Sequence, residues 1–146
     1  EKQVKRAGLD YWDKLDYTIY DSFPDFLEKN PGAKIYMATT KAKHVYSDVK
    51  FEEDCYIMFG KESAGIPEEI LVENEETTIR IPMFGDIRSL NLGNSVAIVL
   101  YEALRQLGFK PEHRGAFTSQ PLAFRRVIKK RQAPVSFFVI RFLSSV

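Results

Sequence analysis

The stretch from Arg88 to Gly108, RSLNLGNSVAIVLYEALRQLG, decides how the chain is read. Its second half has helical periodicity. Val96, Val99, Leu100, Ala103, Leu104 and Leu107 recur at the i, i+3, i+4, i+7 spacing of one helical face, and Gly108 follows as a stop. Ala97 and Ile98 widen the apolar face beyond a single stripe. A helix of that kind, roughly Ser95 to Leu107, needs more than one partner surface, either a central place in its own domain or a second subunit. Its first half is different: two asparagines, a serine and a glycine come just before the apolar run. Asn91 or Asn94 can cap the helix through a side-chain oxygen. The same small polar residues can also present main-chain groups to a ligand, and the spacing leaves both readings open.

Upstream of this helix lie three short apolar runs rich in β-formers: AKIYMATT (33–40), DCYIMFG (54–60) and TTIRIPM (77–83). The second is apolar without alternation, as expected of a strand covered on both faces. Between the second and third, IPEEILVENEE reads as a short helix with Pro67, Glu68 and Glu69 at its positive end. Further upstream, DYTIY is a strand candidate. DSFPDFLEKNPG is a short helix capped by Ser22 or Asp21 and ended by Asn30-Pro31-Gly32. Strand, helix, strand and long helix in succession predict an α/β fold on a parallel sheet. EKQVKRAGLDYW reads as the end of a helix with Gly8 at C′, so the chain is expected to lack a preceding segment. After Phe109 the pattern changes. LAFRRVIKKRQ suits a basic amphipathic helix, and APVSFFVIRFLSSV suits a strand or an adhesive terminal segment.

Composition bounds the function. The 146 residues suffice for one domain; 45% are apolar and 28% charged. No apolar run reaches the ~18 residues of a membrane span, and no secretion signal is visible. The single cysteine, Cys55, excludes an internal disulfide and reads as a small buried hydrophobe, which suits a reducing cytoplasmic setting. Eight Lys/Arg and one Asp/Glu lie in residues 110–146, leaving 13 and 19 for residues 1–109. A basic tail on an acidic body can meet nucleic acid or fold back on that body.

Three turns follow the three predicted strands: MATTK (37–41), FGKESAG (59–65) and PMFGDIRSLNLGN (82–94). Ligands of open parallel sheets bind just beyond the carboxyl ends of the strands. Small residues there let backbone approach a ligand, so a side chain added at Gly60 is expected to obstruct it. Neither a G-x-G-x-x-G nor a P-loop nor a G-x-S-x-G motif is present. His44 and His113 have no second ligand at metal spacing and read as exposed loop histidines, so no metal is expected. Glu62 can serve as an acid or base, although a surface carboxylate near a helix start is the plainer reading. Tyr101 on the last helix is more often a core or interface tyrosine than a catalytic one.

Taken together, MFGKESAGIPEEIL, IRIPMFGDIRSLNLGNSVAIVLYEALRQLGF and KRAGLDYW resemble the SPOUT superfamily of RNA methyltransferases, in particular its TrmL-type tRNA (cytidine/uridine-2′-O)-methyltransferase branch. The resemblance covers about Lys5 to Phe109. It implies a partial SPOUT domain over residues 1–109, an α/β parallel sheet with a C-terminal deep trefoil knot; residues 110–146 depart from the family pattern as a basic and apolar extension. It implies S-adenosylmethionine as cofactor, contacted near Ala38, Gly60, Ile81 and Ser89, with Met83, Leu90 and Asn91 lining the same pocket. It implies a homodimer packed through the last helix, and tRNA as substrate, methylated on a ribose 2′-hydroxyl at the wobble nucleotide. Tyr101 matches a tyrosine associated with RNA binding or the reaction. The family's N-terminal N-T-G-N-I-x-R segment, with its assisting arginine, has no counterpart in these 146 residues, which leaves Arg88 or Tyr101 as replacements. Two other readings stay open: a non-catalytic chain that binds cofactor or dimerises, and an RNA-binding adaptor using the basic tail.

Overall fold

A computed structural model of the chain describes residues 17–86, 89–109, 125–127 and 137–141. Its strands are β1 (Tyr17–Thr18), β2 (Ile35–Ala38), β3 (His44–Val45), β4 (Tyr56–Gly60), β5 (Thr78–Arg80), β6 (Arg125–Val127) and β7 (Phe137–Arg141). Its helices are α1 (Phe23–Lys29), α2 (Glu68–Glu73) and α3 (Leu92–Leu107), with a 3₁₀ turn at Glu75–Thr77. The strands form one sheet in the order β1-β6-β7-β4-β2-β5-β3. The pairs β2–β4, β2–β5, β3–β5 and β1–β6 are parallel. β7 runs antiparallel to both β4 and β6, so the predicted parallel sheet is in fact mixed and mostly parallel.

Alternation along the strands divides the core in two. Ile35 and Met37 of β2, Tyr56 and Met58 of β4 and Val139 of β7 point to the face covered by α1 and α2, around the fully buried Phe26. Tyr36, Ile57, Phe59, Ile79 and Ile140 point to the other face, covered by Val99, Leu100 and Ala103 of α3. β4 is thus packed on both sides, as its unbroken apolar run predicts. Cys55 is buried in the second cluster. Burial pushes its thiol up to about 12, which keeps it a protonated, unreactive hydrophobe.

The helix ends follow local chemistry. The Ser22 hydroxyl accepts from the Asp25 N–H at 3.1 Å, and Asn30 closes α1. α3 starts at Leu92, three residues before the expected Ser95, because Asn91 supplies the cap there. It ends at Gly108, whose φ of 79° suits only glycine well.

Two expectations need correction, and one open choice is decided. Arg125–Val127, expected in a basic helix, form a strand lodged between β1 and β7, where main-chain pairing on both sides outweighs helical patterning. Residues 137–141 take the strand reading and fold back along β4 in a five-residue register, Tyr56↔Arg141 to Gly60↔Phe137. His44, expected in an exposed loop, is the first residue of β3 and half-buried. The expected helix end at Gly8 and the other residues of 1–16, like His113, lie outside the described residues.

A side-chain network ties α3 to the loop before β4. Gln106 Nε2 donates to the Val49 carbonyl at 3.0 Å, and its Oε1 accepts from the Phe51 N–H at 3.0 Å. Glu102 holds this glutamine at 2.8 Å and also accepts twice from Arg105. The Arg105 hydrogen bonds, and then the one from Gln106, pull the Glu102 carboxyl down to about 2 from its ordinary 4.5. A carboxyl that is more acidic when folded stabilises the fold above its unfolded value, and that stability is lost as pH falls toward 2. The effect is tempered because Arg105 is largely solvated. Thermal melts between pH 6 and pH 2 should therefore show the native chain losing more of its melting temperature below pH 4.5 than Glu102→Gln. Parallel acid limbs would remove this role for Glu102.

Candidate functional site

Strand register brings the three turns together. Ala38, the last residue of β2, pairs with Phe59 of β4 on one side and Ile79 of β5 on the other. Three parallel strands therefore end side by side, and the Thr39 N–H continues the pairing with Ile79 O at 2.9 Å. Beyond these ends lies a cleft of about 620 Å³, within the range of small-molecule sites.

All seven residues singled out as cofactor contacts border this one cleft. Ala38 contributes from the end of β2 and Gly60 from the end of β4. Ile81 and Met83 follow β5, and Ser89, Leu90 and Asn91 lead into α3. Of the two residues put forward for catalysis, only Tyr101 is among the described residues. Tyr101 is 62% exposed on α3, its ring 6.3 Å from that of Phe109, and it does not border the cleft. Arg88 lies outside the described residues.

The turn after β4 forms one wall. The Gly65 N–H donates to the Lys61 carbonyl at 2.7 Å and closes a tight loop, with Gly65 at φ 69°. A side chain on Gly60 would run into the backbone of Gly65 and Ile66. The nearest reason for this glycine is therefore internal to the turn: the loop folds back directly over it, before any ligand is considered.

Of the two asparagines, Asn91 is the one that caps α3, and it also borders the cleft. Its Oδ1 accepts from the Gly93 N–H at 2.9 Å, its carbonyl accepts from the Ser95 N–H at 3.0 Å, and it still borders the cleft. Its Nδ2 donates to Glu62 at 3.5 Å, linking the third turn to the second. Asn94 is inside the first turn of α3 and does not cap it.

The lining combines an apolar floor from Ile79, Ile81 and Val99 with exposed polar groups. Sequence reasoning passed over two cations here. Lys41 borders the cleft and is paired with Glu68 at 3.0 Å. Lys61 also borders it, and among the described residues no salt bridge involves it. Their places within the quoted turns were the available signal. Glu62 is the carboxylate of the lining. Among the described residues no group of three or more His, Cys, Asp or Glu could hold a metal ion, and no helix is long and apolar enough to cross a membrane.

Comparison with known proteins agrees with this geometry. The family model described as SpoU rRNA Methylase matches residues 1–101. A Listeria innocua protein, provisionally named a tRNA (cytidine(34)-2′-O)-methyltransferase, is 46% identical over 132 residues, which cover 88% of this chain and 75% of that one. The tRNA (cytidine(34)-2′-O)-methyltransferase of Escherichia coli (strain K12) is 42% identical over 110 residues, 75% of this chain and 70% of that one. A solved structure described as giving insight into the 2-OH methylation of C/U34 on tRNA superposes with a TM-score of 0.68 at 44% identity, covering 73% of this chain and 70% of that one.

The folded-back turn gives a graded prediction. Gly60→Ala should cost about 3 kcal/mol, because backbone must move to admit the methyl group. Gly65→Ala, with open space around its Cβ position, pays only for its positive φ, about 1–2 kcal/mol. Urea unfolding of the two variants checks the order. A larger loss for Gly65→Ala would contradict the packing described.

Proposed function

The chain belongs to the SpoU rRNA methylase family, and from that premise we propose that it uses S-adenosylmethionine to methylate the ribose 2′-hydroxyl of the wobble nucleotide of tRNA, in the cytoplasm. The observation that carries this reading is the convergence of three turns, after β2, β4 and β5, on one cleft. Relatives at 42–46% identity bear the corresponding name, which supports position 34 as the target.

The residues present fit the cofactor. The cleft has a suitable size, an apolar floor for an adenine, and turns whose main-chain groups can meet base edges and ribose hydroxyls. Ala38, Gly60, Ile81 and Ser89 are the proposed main-chain contacts, with Met83, Leu90 and Asn91 closing the sides. When bound, S-adenosylmethionine supplies an already electrophilic methyl group. The protein's task is then alignment of the hydroxyl with that group, and acceptance of its proton. Glu62 offers an acceptor at the cleft edge, held toward Asn91.

The finer assignments form part of the same proposal. A deep trefoil knot at the C-terminal part, which the family resemblance implies, belongs to this proposal, and the strand order with β5 between β2 and β3 is compatible with it. Ala97, Ile98 and Tyr101 of α3 supply an apolar face away from the cores, which supports a homodimer through this helix. Tyr101 would then serve the reaction by reaching the cleft of a second copy, with Arg88 as the other catalytic candidate.

Titration calorimetry with S-adenosylmethionine and methyl transfer to undermodified tRNA test the reading. Native chain should bind and transfer. Asn91→Ala should lose about 1 kcal/mol of stability from its cap and also bind cofactor more weakly. A loss of stability alone would confine Asn91 to capping. Binding without transfer would reduce the chain to a cofactor-binding one, and no binding would end the proposal.

A further inference from the structure

Met83 and Ser89 both border the cleft. Between them stands Phe84, 82% exposed, the most exposed large hydrophobic side chain among the described residues. Gly85, at φ 63°, bends the chain just after it. An isolated surface apolar residue needs no explanation. This one lies one residue from a cleft-lining methionine, on the segment that joins the third strand to α3. Its ring is packed into neither core cluster. Lys61, on the next turn, brings an ammonium group to the same cleft without an ion-pair partner among the described salt bridges. An exposed aromatic face together with a cation is the pairing that holds single-stranded nucleic acid: the ring stacks on a base and the cation meets a phosphate.

We propose that Phe84 is the stacking platform for a base of the RNA substrate at the cleft mouth, with Lys61 on the adjoining phosphate. This rests on the reading of the chain as an RNA methyltransferase. Phe84 is a positioning residue here: it orients the nucleotide and touches neither the transferred methyl group nor the reacting hydroxyl.

The test uses the full chain and a fluorescently labelled tRNA anticodon stem-loop. Phe84→Ala should weaken RNA binding by about 5- to 150-fold, the range of one lost base–aromatic stack. Phe84→Trp should retain native affinity, and S-adenosylmethionine affinity should be unchanged in both variants. Lys61→Gln should reduce the slope of log affinity against log salt by about 1. Native RNA affinity in Phe84→Ala overturns the inference, as does failure of the native chain to bind RNA. A change in oligomeric state on sedimentation that accounts for the lost RNA binding also overturns it, and makes Phe84 a subunit contact. Native chain that binds the stem-loop and transfers no methyl group refutes the methyltransferase reading while the stacking result is judged by itself.

Discussion

Ala38 is paired twice, with Phe59 on one side and Ile79 on the other, and the site follows from that register. A shift of one residue in either pairing would turn β2 side chains to the wrong face and set the strand ends at different heights. As observed, the turns after β2, β4 and β5 leave the sheet at one level and enclose a common space. The register is held from both faces. Met37 and Met58 are fixed by the cluster under α1 and α2, and Ile57, Phe59 and Ile79 by the cluster under α3. The strands feeding the cleft are therefore anchored by packing on both faces of the sheet.

The helix that follows the cleft belongs to the same construction. Val99, fully packed against the sheet, also contributes to the cleft floor, so the packing of α3 and the shape of the site change together. Asn91 ends the third turn and begins the helix with a single side chain. The Gln106 bridge to Val49 and Phe51 fixes the far end of the helix against the loop before β4. The helix is thus tied by side-chain hydrogen bonds to segments on either side of β4.

The legible parts of the sequence were those where burial writes a pattern. Three apolar runs marked β2, β4 and β5, and the i, i+3, i+4 spacing marked α3. The three turns of small residues were readable from their places at the ends of those runs, whereas the seven individual residues named for the cleft came from the family resemblance of the motifs. What was illegible lacks such a pattern. β3 has two residues, His44 and Val45, too few for alternation. Leu92-Gly93-Asn94 opens α3 on the strength of the Asn91 cap, with a glycine that propensity counts against. Arg125–Val127 read as helix because basic and apolar residues alternate irregularly around them, and only the neighbouring strands make them β. β7 was one of two readings for its segment, and the choice depended on β4 having a side free to receive it.

A cleft built largely from backbone divides its residues into two kinds. Gly60 and Gly65 are set by the path of the chain: one has no room for a side chain, and the other has a conformation that side chains oppose. Lys61, Glu62 and Ser63 lie between them, exposed, on a loop closed by the main-chain hydrogen bond from Gly65 to Lys61. Phe84 stands in the same position on the third turn, beside the conformationally constrained Gly85. Side chains of this kind can be replaced without disturbing the walls that would hold a cofactor. Changes at Lys61 and Phe84 should therefore be felt more by a ligand at the cleft than by the fold.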